Sequence, residues 1–190
     1  ASYIKRLTKK LIPKAMPDGT GKIEFKQLSA FTTENYMTHP ISGEYSKYFI
    51  KDDLFAGGDY FLKSIAEIFI NNGYDVTVSE CTMLHNSTFE HLIVEQLGLV
   101  FITGNFFNGL VPENENIINF SRFYDKEMYS NKKQRINFDK KASLELAKEA
   151  SVCLKTALDI HDELEKFYIN AIDFESLNHF TAEFIESLKK

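Results

Sequence analysis

The segment from Tyr45 to Glu80 constrains the fold more than any other. A β-forming run, Tyr45–Lys51, passes through a short loop holding Gly57 and Gly58. It then enters a stretch whose apolar residues Phe61, Leu62, Ile65, Ala66, Phe69 and Ile70 fall on one helical stripe. Asn72-Gly73 stops that helix, and Asp75–Glu80 alternates as a strand. Strand, helix and strand at this spacing close as a right-handed crossover between parallel strands. A short apolar run, Leu99–Thr103, has the texture of a further buried parallel strand, and Ser87–Leu97 is predicted as a second helix. The expected class is α/β, three-layered, with a mainly parallel sheet.

The flanks divide the chain. Residues 1–20 are predicted as an N-terminal helix, Tyr3–Ile12, with a linker containing Pro13, Pro17 and Asp18-Gly19. The α/β core is expected over 21–135. Within it Ile23–Phe31 reads as a strand and Thr32–Glu44, with His39-Pro40, as a non-helical connection. Pro112–Asn119 reads as polar loop, Phe120–Tyr129 as a short helix, and Asn131–Arg135 as a charged connector. Residues 136–190 are predicted as a C-terminal helical hairpin. Ala147, Ala150, Leu154, Ala157, His161, Leu164 and Tyr168 stripe its first helix, and Phe174–Leu188 forms the second after a turn at Ala171–Asp173. So wide an apolar stripe calls for cover, by packing on the core or on a partner.

Charge and composition exclude several classes. With 22 basic against 27 acidic residues and a net charge of -5, the chain has no global field for nucleic acid. The local basic run Lys5, Arg6, Lys9, Lys10 and Lys14 reads as a solvated helix face. The two cysteines, Cys81 and Cys153, are far apart and form no disulfide framework, which suits a reducing, cytoplasmic setting. No segment reaches the roughly 18 apolar residues of a bilayer span, so no membrane partner is expected. Ala1 in place of methionine fits a processed product, a tag remnant or a piece of a longer chain.

The glycine loop stands where a phosphate-binding loop would stand. Such a loop needs glycines that let backbone N–H groups converge, a Lys for the phosphates and a Ser/Thr hydroxyl for Mg²⁺. Here Gly58 occupies the Lys position and Asp59 the hydroxyl position, with Asp52 and Asp53 adding negative charge. Asp59 is predicted to cap the helix N-terminus and consume its free N–H groups. Lys51, Gly57, Gly58, Asp59 and Tyr60 are thus the candidate residues of a vestigial nucleotide site.

Three stretches resemble a family of P-loop ATPase-like proteins that often carry two such domains in tandem. Tyr48-Phe49-Ile50-Lys51, Gly57, the helix Phe61–Glu67 and Gly73-Tyr74-Asp75-Val76 resemble the loop, helix and next strand. Cys81 and Glu95–Gly104 resemble the second motif, with Thr103 where the family's strand ends in a Mg²⁺-supporting carboxylate. Ile160–Ile169 with Ala171-Ile172-Asp173-Phe174 resembles the helical tail. The resemblance covers about Gly21 to Leu188. It implies ATP and Mg²⁺ as ligands, a P-loop NTPase-like fold and a second P-loop-like domain in the same chain or a homo-oligomer as partner. Residues before Gly21 would then be the tail of a preceding half. Since the Lys, the hydroxyl and the second carboxylate are missing, the expected function is a degenerate, non-hydrolysing domain with a structural or regulatory role. The alternative is a nucleotide-binding enzyme whose phosphate charge comes from Lys51 or the N-terminal lysines.

A ligand crevice beyond the strand ends, near Glu80, Cys81, Asn105 and Asn108, is a further expectation, because open α/β sheets bind ligands there. No catalytic residue is assigned. Cys81, His85 and His91 fall short of a zinc site, and Cys81 with His85 is weak as a nucleophile and base. Asp52, Asp53 and Asp59 read as solvated loop and cap rather than a cation site. His161 reads as a core histidine satisfied by a carboxylate or carbonyl.

Overall fold

The computed structural model describes residues 2–12, 15–16, 19–84, 87–112 and 116–189. His85 and Lys14 lie outside them. The elements in order are α1 (Ser2–Leu11), β1 (Ile23–Phe25), β2 (Ser29–Phe31), β3 (Tyr36–Thr38), β4 (Ser46–Lys51) and α2 (Gly58–Asn71). They continue with β5 (Val76–Glu80), β6 (Phe89–Val94), β7 (Leu99–Gly104), β8 (Asn116–Asn119), α3 (Lys126–Ile169) and α4 (Phe174–Ser187). Among the described residues no helix is long and apolar enough to cross a membrane.

The main sheet has six strands in the order β1-β5-β6-β7-β4-β8. β1 pairs with β5, and β4 with β7 and β8, all in parallel. β6 alone runs the other way, antiparallel to β5 and β7. Its reversal brings Phe89 and Glu90, at its start, to the edge where the parallel strands end. There they meet Asp52, Cys81 and Asn105, each just past its strand.

α2 lies on one face of this sheet. Phe61, Leu62, Ile65 and Phe69 are buried against Ile50, Val78, Leu92 and Phe101, and α1 adds Ile4 from outside. Removing one such side chain from water contributes about 1.5–3 kcal/mol. The basic residues Lys5, Arg6, Lys9 and Lys10 are exposed on α1, as expected of a solvated face. Among the described residues no helix packs on the opposite face as α2 does on this one. Leu28, Ile41 and Tyr45, from the segment carrying the β2–β3 hairpin, close over Ile93, Val100 and Ile102.

Several local expectations are corrected. Ser87–Leu97 is not a helix but β6 followed by a 3₁₀ turn at Glu95–Leu97. Glu90 to Val94 are all buried, so both faces of the strand are apolar-packed and its side chains show no alternation. The expected strand Ile23–Phe31 is divided into β1 and β2, and part of the 32–44 connection forms β3. Pro112–Asn119 ends in β8, an edge strand on β4. The expected helix over Phe120–Tyr129 starts later: Phe120–Phe123 is a 3₁₀ turn, and Asp125 caps α3 by accepting the Met128 N–H at 2.9 Å. The Asn131–Arg135 connector lies inside α3, because its Lys, Gln and Arg residues are helix formers. At 44 residues α3 is roughly 66 Å long. Ser151 is buried on it, and every described residue beyond Ser151 is exposed, including Leu164, Phe167, Phe180 and Phe184. His161 is therefore not a core residue; it sits in solvent with Glu165 Oε1 3.0 Å from Nε2.

His91, fully buried on β6, is held neutral. Its Nδ1 accepts the Thr103 N–H at 3.2 Å, so Nε2 carries the proton and faces Ser29 Oγ at 3.2 Å. Burial pushes its pKa down, partly opposed by the adjacent Glu90. The unfolded chain therefore binds this proton more readily, and stability falls as pH drops below about 6.5, the ordinary imidazole value. Denaturant midpoints measured against pH are expected to decline from there, and to decline less steeply in His91→Gln.

Candidate functional site

The loop after β4 folds back on its own carboxylate. Asp52 is 1% exposed. Its Oδ1 accepts the Ala56 N–H at 2.9 Å, and its Oδ2 accepts those of Gly57 at 3.1 Å and Gly58 at 2.7 Å. These are the groups that open α2, where backbone N–H groups and the helix dipole favour an anion. The fold-back requires Phe55 to take a left-handed φ of 52°, a costly conformation for a bulky residue. Rings of Phe106 and Phe107, with centroids 5.7 and 5.9 Å away, hold it there. A Cβ on Gly58 would stand 2.9 Å from Asp52 Oδ2, and one on Gly57 would strike the Phe120 ring. The two glycines thus serve the approach of a carboxylate.

Asp59 does not cap α2. The N-cap is Gly57, without a side-chain bond, and Asp59 lies one turn-position inside the helix. Its Oδ1 instead accepts the Phe89 N–H at 2.8 Å, tying α2 to the start of β6, and its Oδ2 pairs with Lys63 at 2.9 Å. Tyr60 projects into solvent, 67% exposed. Asp52, read from sequence as a solvated loop acid, is the buried one.

Beside the loop a cavity of about 140 Å³ opens at the sheet edge. Asp52, Asp59, Cys81, Glu90, Thr103 and Asn105 contribute its polar wall, and Phe55, Leu84 and Phe89 the apolar part. Glu90 is 2% exposed and gathers neutral donors: the Tyr36 hydroxyl at 3.2 Å, Asn105 Nδ2 at 3.3 Å and Asn108 Nδ2 at 3.1 Å. The Thr103 hydroxyl is buried and has no hydrogen-bond partner among the described residues. Of the crevice expected from sequence, Cys81 and Asn105 line the cavity and Asn108 braces Glu90 from behind. Glu80 does not line it, because β5 shifts register between Ser79 and Glu80. Glu90 and Tyr36 escaped the sequence reading, since one lay in an expected helix and the other in an expected loop.

Among the described residues the cavity gathers no metal-ligand cluster, and its thiol is not activated. Among the described residues no three His, Cys, Asp or Glu side chains converge on a point. Burial pushes the Cys81 thiol up, and the Glu90 charge adds to it, so Cys81 stays protonated and inert at neutral pH. Tyr36 is raised by the same two causes.

Lys51 is separated from this cavity. It lines a second one, about 220 Å³, with Lys126, Lys140, Asp53 and Tyr124. Burial, and next the Asp52 charge, push the Tyr124 phenol up to about 12. No family model, curated protein or solved structure matches the chain. The functional reading therefore stands on the geometry and on the motifs quoted above.

Two outcomes are expected. Asp52→Ala strands the loop N–H groups and lowers stability by about 2–4 kcal/mol in denaturant titration. Sulfate at tens of millimolar restores part of that loss in the variant and adds less to the parent chain. Separately, a maleimide dye labels exposed Cys153 quickly in the native protein, whereas Cys81, 5% exposed, reacts only on unfolding.

Proposed function

We propose that this chain is a degenerate P-loop NTPase-like domain that neither grips nor hydrolyses nucleotide and that serves a structural or regulatory role beside an active domain or partner. One observation carries the reading: the N–H groups that would cradle a phosphate are already bonded to Asp52. A triphosphate would have to displace a tethered, buried carboxylate and then meet Asp59 and Glu90. Each charge-assisted bond lost is worth about 1.5–3 kcal/mol, and among the described residues no lysine lines the loop-side cavity to offset them. Thr103 at the end of β7, register partner of Ile50, fits the loss of a second catalytic carboxylate.

A second reading has one observation in its favour. Lys51, Lys126 and Lys140 around the neighbouring cavity, with Asp53 as the opposing charge, form a basic site where an atypical enzyme would seat phosphates.

Calorimetric titration with Mg-ATP, Mg-GTP and ADP separates the two. The first reading expects no dissociation constant tighter than about 100 μM. Tighter binding that disappears in Lys51→Glu/Lys126→Glu would establish the second. Binding is expected to be gained by Gly58→Lys/Asp59→Thr only when Asp52→Gly is added, because a side chain at 58 meets the Asp52 carboxylate.

A further inference from the structure

We infer that the cavity at the strand ends is a binding site for a small organic cation, a primary ammonium carried on a short hydrocarbon. It lies beside the loop and is tested without nucleotide, so its failure would leave the reading of the loop intact.

Charge comes first. Three carboxylates, of Asp52, Asp59 and Glu90, contribute to the wall, and among the described residues no Lys or Arg does. Lys63 is engaged with Asp59 outside the lining, over the Phe89 ring at 5.3 Å. Glu90 is the most telling of the three. It is buried beneath the cavity with donors that are all neutral: a phenol and two carboxamides. Among the described residues the titratable nitrogen beside it, His91 Nε2 at 3.6 Å, belongs to a ring whose other nitrogen accepts a backbone proton. A buried carboxylate without a cation lacks its best compensation, and an ammonium supplies it.

An independent observation points the same way. Thr103 is 5% exposed, lines this cavity, and its hydroxyl has no partner among the described residues. An orphaned buried hydroxyl costs about 1–3 kcal/mol, so its retention at the wall of an acidic cavity fits an acceptor for a ligand N–H.

Size and shape set the class. A cavity of about 150 Å³ holds benzene, so 140 Å³ admits a group of about six heavy atoms. Phe55, Leu84 and Phe89 provide an apolar wall for its hydrocarbon, and aromatic faces favour a cation. A bare divalent ion fits poorly, since no trio of ligating side chains converges among the described residues.

The test uses the whole chain and n-butylammonium as the probe, with n-butanol and butyrate as neutral and anionic counterparts. Calorimetry reads affinity, and the Asn105 and Asn108 side-chain amide resonances report location. The ammonium is expected to bind at least about tenfold more tightly than either counterpart, and to shift the Asn105 amide. Glu90→Gln and Thr103→Val are each expected to weaken it about tenfold. Thr103→Val removes only an unpaired hydroxyl, so it folds even where Glu90→Gln does not. Equal binding of n-butanol, no binding of the ammonium at millimolar concentration, or unchanged affinity in folded Thr103→Val overturns the proposal.

Discussion

The bonds from Ala56, Gly57 and Gly58 to the Asp52 carboxylate govern the loop, the start of α2 and the chemistry available at the sheet edge. A helix N-terminus presents donors that must be satisfied by a side chain, water or a ligand. Here the satisfying anion is covalently attached four to six residues away, so it is present at high effective concentration whatever the solution contains. An external anion competes with a partner that never diffuses off. The same contact explains why Gly58 is tolerated in the first turn of a helix despite its entropic cost: any Cβ would press on the carboxylate. It explains the left-handed Phe55 as well, since the chain must double back to bring those N–H groups around Asp52.

A second constraint is the reversal of β6. In an all-parallel sheet the residues at the carboxyl edge come only from strand ends and their loops. By running backwards, β6 presents the first residues of a strand there, and Glu90 sits at the register shift between the pairs Ser79–His91 and Glu80–Phe89, as the extra residue of a bulge. What holds the buried carboxylate there is its set of hydrogen bonds from Tyr36, Asn105 and Asn108. His91, the next residue, is sealed by Ser29 and Thr103, with its Nε2 3.6 Å from Glu90 Oε2.

Much of the architecture was legible in the residues. α2, β4, β5, β7 and α4 follow from single-period patterns with clear stops, such as Asn72-Gly73 after the Phe61–Phe69 stripe. β6 was not legible, because a strand buried on both faces shows no alternation, and Phe-Glu-His-Leu-Ile-Val satisfies a helical template equally well. The start of α3 was missed although Asp125 is a good N-cap, because the polar Asn131–Arg135 stretch looks like a connector until tertiary context commits it. The acidic loop was foreseen, and the wrong acid was assigned to the helix end. Local capping logic selects Asp59, the acid next to the stripe. The choice of Asp52 depends on the loop's reversal at Phe55, which ring contacts with Phe106 and Phe107 secure from some fifty residues away. The crevice was half visible: Cys81 and Asn105 follow from the rule that open sheets bind at strand ends, whereas Glu90 requires knowing that β6 is reversed.

The two cavities flanking the loop carry opposite charge, and the pleat of one strand accounts for it. Successive side chains of β4 point to opposite faces. Ile50 lies in the core under α2, and Asp52, two residues on, reaches the acidic cavity from that same face. Lys51 and Asp53, at the alternate positions, line the basic cavity instead. The register of β4 against β7, with Ile50 opposite Thr103 and Lys51 opposite Gly104, holds this division in place. A slip of one residue would put Lys51 beneath the loop N–H groups and turn Asp52 toward Lys126 and Lys140, inverting both sites at once. The apolar burial of Ile50 and the aromatic stacking of Tyr48 on Phe101 at 5.2 Å oppose that slip, so the same packing that builds the core also sets the sign of charge on each side of the loop.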